Sequence, residues 1–563
     1  MKIQFVRILA LLLISALIVP AIDARQPTYA RKAMVVAEED LATEVGVSVL
    51  RSGGNAVDAA VAVGFALAVT HPYAGNIGGG GFMLIRMADG RSTFIDFREK
   101  APAAATHDMY LNASGTPTRD SVVGWRAAGV PGTVRGLALA NKKYGREPWP
   151  ELVKPAVALA TNGFPVSKWQ MDSWHRSAAL LSQFPESKRI FLKDGAFYDW
   201  QETLKQPELA RTLDRIARLG SADFYDGETA HILASEMATN GGLITLADLH
   251  DYQAVERTPL EGDYKGYHVI TSPSPSSGGV GLLQMLAMLN GTGYEKLGAG
   301  SAVSYHYMAE VMRRYFADRS KYFGDPDFVS DPVAALLAPA YIDSRRATIR
   351  PDRATPTGQI SPGLTAASEG SNTTHYSIVD QEGNAVAVTY TLNNGYGSGV
   401  SVPGAGFLLN DEMDDFAAKP GEPNMFGLVQ GENNAIAPGK RPLSSMTPTI
   451  ILKDGKPFLV LGAPGGPVII TSELQVILNV IDFGMNAQDA VDFPRIHDQW
   501  KPDRLDTEFG VSPDTVVQLR RMGYQTETAN AGEHARVEAI LISDGWLQGA
   551  VDGRGSGGKA AGY

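Results

Sequence analysis

A stretch rich in Pro, Gly, Ser and Thr runs from Pro351 to Ser371, and the chain turns to strand immediately after it. His375–Asp380 and Ala385–Thr391 are β-type runs around Gln381-Glu-Gly-Asn384, which reads as a hairpin turn. With the turn centred near Glu382, antiparallel pairing sets Thr373 opposite Thr391. Thr449–Lys453, Asp454-Gly455 and Lys456–Leu461 form a second hairpin pattern, whose register, extended, sets Ser444-Ser445 against Pro464-Gly465. A third turn signal, Asp544-Gly545, closes this region. Before the break, Glu39–Leu50 and Ala56–Thr70 carry helical apolar spacing around Gly53-Gly54. Pro72 stops the second helix, and Gly78–Gly81 lead into strands at Phe82–Met87 and Thr93–Arg98. Strand runs with helical flanks on both sides of the break predict helices packed on antiparallel sheets.

Thr373 lies in Ser-Asn-Thr-Thr-His-Tyr-Ser, residues 371–377. That position suits a threonine that becomes a new N-terminus when the chain cuts itself between Asn372 and Thr373. A threonine hydroxyl needs a base beside it to act as a nucleophile, and a freed α-amine on the same residue is such a base. Its ordinary pKa of roughly 7.7–8.0 suits proton transfer near neutral pH.

The 563 residues, 44% of them hydrophobic, are ample for a large core in one domain or two closely joined ones. A formal charge of −11 disfavours nucleic acid or an anionic membrane as the main partner. The chain contains no cysteine, which excludes disulfides, thiol nucleophiles and Cys-rich metal sites. Met1–Ala30 reads as a secretory signal: Lys2 and Arg7 form the charged start, Ile8–Ile18 the apolar core, and Ala21, Ala24 and Ala30 offer cleavage points. Export, most simply to a periplasm, is the expected localisation.

Thr373-Thr-His-Tyr-Ser377, Gly383-Asn-Ala-Val-Ala-Val-Thr-Tyr-Thr-Leu-Asn393 and Tyr396-Gly397 resemble the signature of γ-glutamyltranspeptidases, which are N-terminal-nucleophile hydrolases. So do Gly53–Ala60, Gly78–Phe82, Asp96-Phe-Arg-Glu99, Pro275-Ser-Ser-Gly-Gly279, Leu409–Asp415, Pro442-Leu-Ser-Ser445 and Pro464-Gly-Gly466. The resemblance extends from about residue 30 to the C-terminal Ala-Gly-Tyr. It implies an αββα sandwich, α+β in class, with two stacked, mainly antiparallel sheets. It implies one precursor: a signal peptide over 1–24, a large subunit over 25–372, and a small catalytic subunit over 373–563.

The resemblance also implies the roles. Thr373 attacks the γ-carbonyl of a γ-glutamyl compound such as glutathione, and water or an acceptor amino acid or peptide resolves the ester. Thr391 orients the nucleophile, and Gly465 and Gly466 form the oxyanion hole. Arg98, Ser444 and Ser445 take the α-carboxylate; Asn393, Glu412 and Asp415 take the α-ammonium. Phe426 sits in a lid segment where many bacterial relatives have tyrosine, so the cover keeps its apolar face and loses a hydroxyl. No cofactor or metal is implied, and the ten histidines are scattered without metal-ligand spacing. Ala535-Arg-Val-Glu538 departs from the family's usual small polar residues, and no role is attached to it.

Gly553–Lys559 nearly spells a phosphate-binding loop, but Ala560 replaces the required Ser or Thr and no helix can follow. The glycines at 78–81 follow a helix and precede a strand, the reverse of a dinucleotide-binding turn. His375 is expected to be structural. Two other readings compete. A cephalosporin acylase shares the signature, but a glutaryl group lacks the ammonium that Glu412 and Asp415 would meet. An inactive homologue would bind γ-glutamyl ligands without turning them over.

Overall fold

The computed structural model describes residues 25–362, 373–420, 431–529, 535–555 and 557–563. Its organising element is the helix Ala56–Thr70, every residue of which is buried. Asn55 starts it with a capping box: its side chain accepts from Val57 N–H and Asp58 N–H at 2.9 and 3.0 Å, and Asp58 returns a bond to Asn55 N–H. Apolar on all sides, the helix must be covered all round. Asp40–Arg51 lies along one flank, and a sheet lies beneath. Tyr376 and Tyr390 rise from that sheet and donate to the Ala60 and Gly64 carbonyls at 2.9 and 3.0 Å. The signature hairpin is thus bound to the central helix.

Two seven-stranded antiparallel sheets stack face to face. The first runs Lys559–Gly562, Met34–Ala37, Thr374–Val379, Ala385–Thr391, Gly80–Arg86, Ser92–Asp96 and Val255–Arg257. The second runs Thr28–Ala30, Trp546–Ala550, Glu538–Ser543, Lys456–Gly462, Thr449–Lys453, Tyr267–Thr271 and Leu260–Tyr264. Strand alternation divides the core. Val35, Met83, Val386 and Val388 face the helices of the first sheet, while Met34, Phe82, Leu84, Ala385 and Ala387 join Ile450, Val460 and Ile540 between the sheets. The outer face of the second sheet carries the helices Gly278–Leu289, Ala302–Tyr322 and Pro467–Ile481. The order is therefore helix, sheet, sheet, helix.

Thr374 pairs with Tyr390, and the same register carries Thr373 opposite Thr391, as the hairpin pattern predicts. The second hairpin differs by one residue. A β-bulge at Ile451/Leu452 shifts the pairing, so that Thr449 faces Leu461. Extended, that register sets Ser445 against Gly465 rather than Pro464. The strand expected from Phe82 begins at Gly80 instead. Gly80 and Gly81 are already paired with Thr391 and Tyr390, and a Cβ on Gly81 would lie 2.5 Å from Tyr390 Cα. These glycines are strand residues that permit close approach.

Candidate active site

The ends of the central strands meet a small cavity lined by Arg98, Thr373, Thr391, Asn393, Glu412, Asp415, Ser444, Ser445, Met446, Gly466 and Ile469. Nine of these are residues singled out in the sequence, drawn from segments hundreds of positions apart. Met446 and Ile469 are apolar additions that no polar motif would reveal. Gly465 is not in the lining. It packs behind the cavity, with a φ of +137° that favours glycine, and a Cβ there would fall 2.8 Å from Ala535 Cα. Phe426 and Asn372 lie outside the described residues.

Thr373 heads the strand Thr374–Val379 and is buried. Beside it, Thr391 ends its strand, and its hydroxyl oxygen accepts from Asn393 N–H at 2.8 Å. Asn393 adopts a left-handed φ of +74° and donates from its amide to Asp411 O at 3.0 Å. Gly466, with φ +59°, precedes the helix Pro467–Ile481, so the helix's N-terminal dipole points at the cavity.

Arg98 is held from three directions. The strand Ser92–Asp96 delivers it, and the buried Asp96 carboxylate accepts from Arg98 N–H at 3.0 Å. Arg257, at 2.7 Å, and Arg441, at 3.4 Å, balance Asp96. Arg98 Nε and Nη2 donate to the Pro442 and Leu443 carbonyls at 3.2 and 2.9 Å, while Nη1 and Nη2 bond Glu412 and Asp415. Groups expected to hold opposite ends of an amino acid are thus paired with one another. An α-amino acid carries its carboxylate and ammonium on one carbon, so their binders must be neighbours.

The Leu409–Asp415 segment is fixed by Asn410. Its side chain accepts from Gly129 N–H and Glu412 N–H at 2.8 and 3.0 Å and donates to the Gly78 and Gly129 carbonyls, both at 2.8 Å. Glu99 escaped notice in the sequence because it adjoins Arg98 within one motif. It is fully buried, 3.8 Å from Arg98 Nη1, and close enough to Glu412 for the two carboxyls to influence each other's charge. Burial pushes Glu99 well above the usual carboxylate range, opposed by Arg98 and reinforced by Asp415. Burial also raises Glu412 well above the usual carboxylate range, against the pull of Arg98 and with further push from Glu99 and Asp415. One guanidinium among three sealed carboxyls leaves excess negative charge, which a proton or a ligand cation must neutralise.

His375 faces the other sheet, against Gly462, and bonds Thr389 Oγ1 and Ser377 Oγ at 2.7 and 3.0 Å. Burial lowers it to about 3, so the ring is neutral. That is a structural histidine. The Ala535–Glu538 segment proves to be the backing of the glycine turn: Arg536 N–H donates to Pro464 O at 3.3 Å, and Arg536 pairs with buried Glu38. Among the described residues, no group of three or more His, Asp or Glu has metal-holding geometry.

Two facing antiparallel sheets between helical layers, with a threonine heading a central strand in a pocket at the strand ends, define an N-terminal-nucleophile hydrolase. Residues 42–562 match the family model described as Gamma-glutamyltranspeptidase. The glutathione hydrolase proenzyme of Escherichia coli (strain K12) is 49% identical over 544 residues, covering 96% of this chain and 93% of that protein. The chain belongs to the γ-glutamyltranspeptidase family. Among solved structures, a cephalosporin acylase from Bacillus halodurans superposes with a TM-score of 0.85 at 28% identity, covering 97% of this chain and 98% of that one. The Helicobacter pylori γ-glutamyltranspeptidase gives a TM-score of 0.57 at 42% identity, covering 61% of this chain and 97% of that one.

Proposed function

We propose that this protein is a γ-glutamyltransferase and glutathione hydrolase, made as a proenzyme that cuts itself between Asn372 and Thr373. The observation that carries the reading is the single cavity holding Thr373 together with Arg98, Asn393, Glu412, Asp415, Ser444 and Ser445. A hydroxyl nucleophile and a full set of α-amino-acid binders converge there.

In the precursor, Thr373 Oγ adds to the Asn372 carbonyl, the peptide nitrogen leaves as the Thr373 α-amine, and water hydrolyses the resulting ester. The products are a large subunit of residues 25–372 and a small one of 373–563. In the mature enzyme, the α-amine takes the Thr373 hydroxyl proton as Oγ attacks the γ-carbonyl. Backbone N–H groups at Gly465 and Gly466 would hold the oxyanion, where one donor is typically worth ~3 kcal/mol of barrier. The proton passes to the leaving amine, cysteinylglycine when glutathione reacts. Water then yields glutamate, or an acceptor amino acid or peptide yields a new γ-glutamyl amide. Thr391 orients Thr373. Ser444, Ser445 and Arg98 hold the α-carboxylate, and Asn393, Glu412 and Asp415 hold the ammonium. The apolar Phe426 would cover the bound group. No cofactor enters any step. The amino-terminal signal pattern supports export, with the periplasm as the place of action.

The likeness to a cephalosporin acylase supports a second reading, removal of glutaryl chains. Three acids around Arg98 weigh against it, because a glutaryl group brings no cation to offset them. Parallel assays with γ-glutamyl-p-nitroanilide and glutaryl-p-nitroanilide separate the two. Preference for the glutaryl compound would overturn the γ-glutamyl assignment, and turnover of neither would favour the inactive binding homologue.

A further inference from the structure

Ser444 and Ser445 are backed by a second layer that has no part in the chemistry above. The Pro275–Gly279 turn lies directly behind them. Ser444 N–H donates to Pro275 O at 2.8 Å, Ser277 N–H to Ser444 O at 2.8 Å, and Ser276 Oγ to Met446 O at 2.8 Å. Ser277 Oγ donates to Ser444 O at 3.1 Å. Contact is close enough that a Cβ on Gly278 would fall 1.8 Å from Thr447 Oγ1. Across this layer reaches Arg319, from the helix Ala302–Tyr322 and fully buried. Its Nε donates to Ser277 Oγ at 2.8 Å and its Nη2 to Ser445 Oγ at 2.9 Å.

A guanidinium has donors only. The Ser445 oxygen is therefore committed as an acceptor on the Arg319 side, and what it can present to an anion in the cavity is its O–H. We propose that Arg319 is a positioning residue for γ-glutamyl substrates: it fixes Ser445 as a donor toward the substrate α-carboxylate and locks the Pro275–Gly279 turn behind Ser444. A hydrogen bond fixed in advance costs less ordering when the ligand arrives. Arg319 lies before the proposed cleavage point and Ser445 after it, which makes the contact a bond between subunits. The inference rests on the γ-glutamyl reading of the pocket.

The test is steady-state γ-glutamyl-p-nitroanilide kinetics on wild type, Arg319→Gln, Ser445→Ala and the double variant, each checked for maturation into two fragments. Arg319→Gln and Ser445→Ala are each expected to raise KM about 10-fold with kcat held within about 3-fold, the scale of one hydrogen bond to a charged group. Because both act on one bond, the double variant should stay within about 2-fold of the worse single. Arg319→Lys should recover part of the loss. A wild-type KM in Arg319→Gln, or fully multiplying effects in the double variant, would overturn the inference. Should Arg319→Gln fail to mature, Ser277→Ala removes the other anchor and keeps the arginine. Its KM should rise about 3-fold, and only when Ser445 is present. An unchanged KM there would overturn the inference as well. Wild type without γ-glutamyl turnover would overturn the substrate reading itself, and this inference with it.

Discussion

Arg98 and Glu412 form an ion pair inside the pocket in which each side chain is only 1% exposed. Neither partner can be replaced by water, and Asp415 shares the same guanidinium. The predicted consequence concerns Arg98→Lys. An ammonium keeps the charge but lacks the fork that reaches Glu412, Asp415 and the Pro442 and Leu443 carbonyls together. We expect kcat/KM for γ-glutamyl-p-nitroanilide to fall by about 100-fold or more, mostly through KM, the scale for disturbing a buried charge pair. A loss below about 3-fold would remove Arg98 from substrate recognition.

The Glu99–Glu412 pair predicts proton-linked binding. Burial raises both carboxyls well above the usual carboxylate range, so the pair keeps a proton where exposed acids have lost theirs. The substrate ammonium takes the proton's place, so binding releases one proton and is favoured as pH rises. KM should therefore fall as pH rises, by up to about tenfold per pH unit, and level off once the pair has lost its proton. Glu99→Gln gives Glu412 a permanent donor and should flatten the KM profile. An identical profile in wild type and variant would refute the linkage.

Gly465→Ala tests the proposed oxyanion role of the glycine turn. The substitution meets both an unfavourable φ and the Ala535 backbone, so the turn must shift. Displacing one N–H donor should lower kcat by about 100-fold with KM little changed. Equal losses in kcat and in protein folding would point to a scaffold role alone.

Asn55→Ala tests the cap of the central helix. It removes the acceptor for Val57 and Asp58 N–H and the 2.7 Å bond to Tyr144 O. A loss of about 2 kcal/mol in urea unfolding is expected, from the cap plus a hydrogen bond. Activity at 25 °C should persist, because the cap lies far from Thr373 in the fold.

Much of this architecture is legible in the chain because period-two and helical patterns are local. Ala56–Thr70, Ala385–Thr391 and Thr449–Lys453 keep the boundaries read from the sequence. The bulge at Ile451/Leu452 is not legible, since one extra residue in an apolar run leaves the alternation readable either way. The candidate pocket is legible through its resemblance, in which several motifs each supply one side chain. What motifs do not carry is who touches whom. The mutual pairing of Arg98 with Glu412 and Asp415, the buried acid Glu99, and the packing of Ala535 on Gly465 are products of tertiary contact.

The central claim is that Thr373 becomes the N-terminus and the nucleophile. Intact mass and a denaturing gel of purified wild type beside Thr373→Ala, with γ-glutamyl-p-nitroanilide turnover on the same samples, test it most directly. The account predicts two wild-type fragments, the smaller beginning at Thr373, with activity, and an uncut, inactive variant. A single uncut, inactive wild-type band, or an active Thr373→Ala variant, would contradict it.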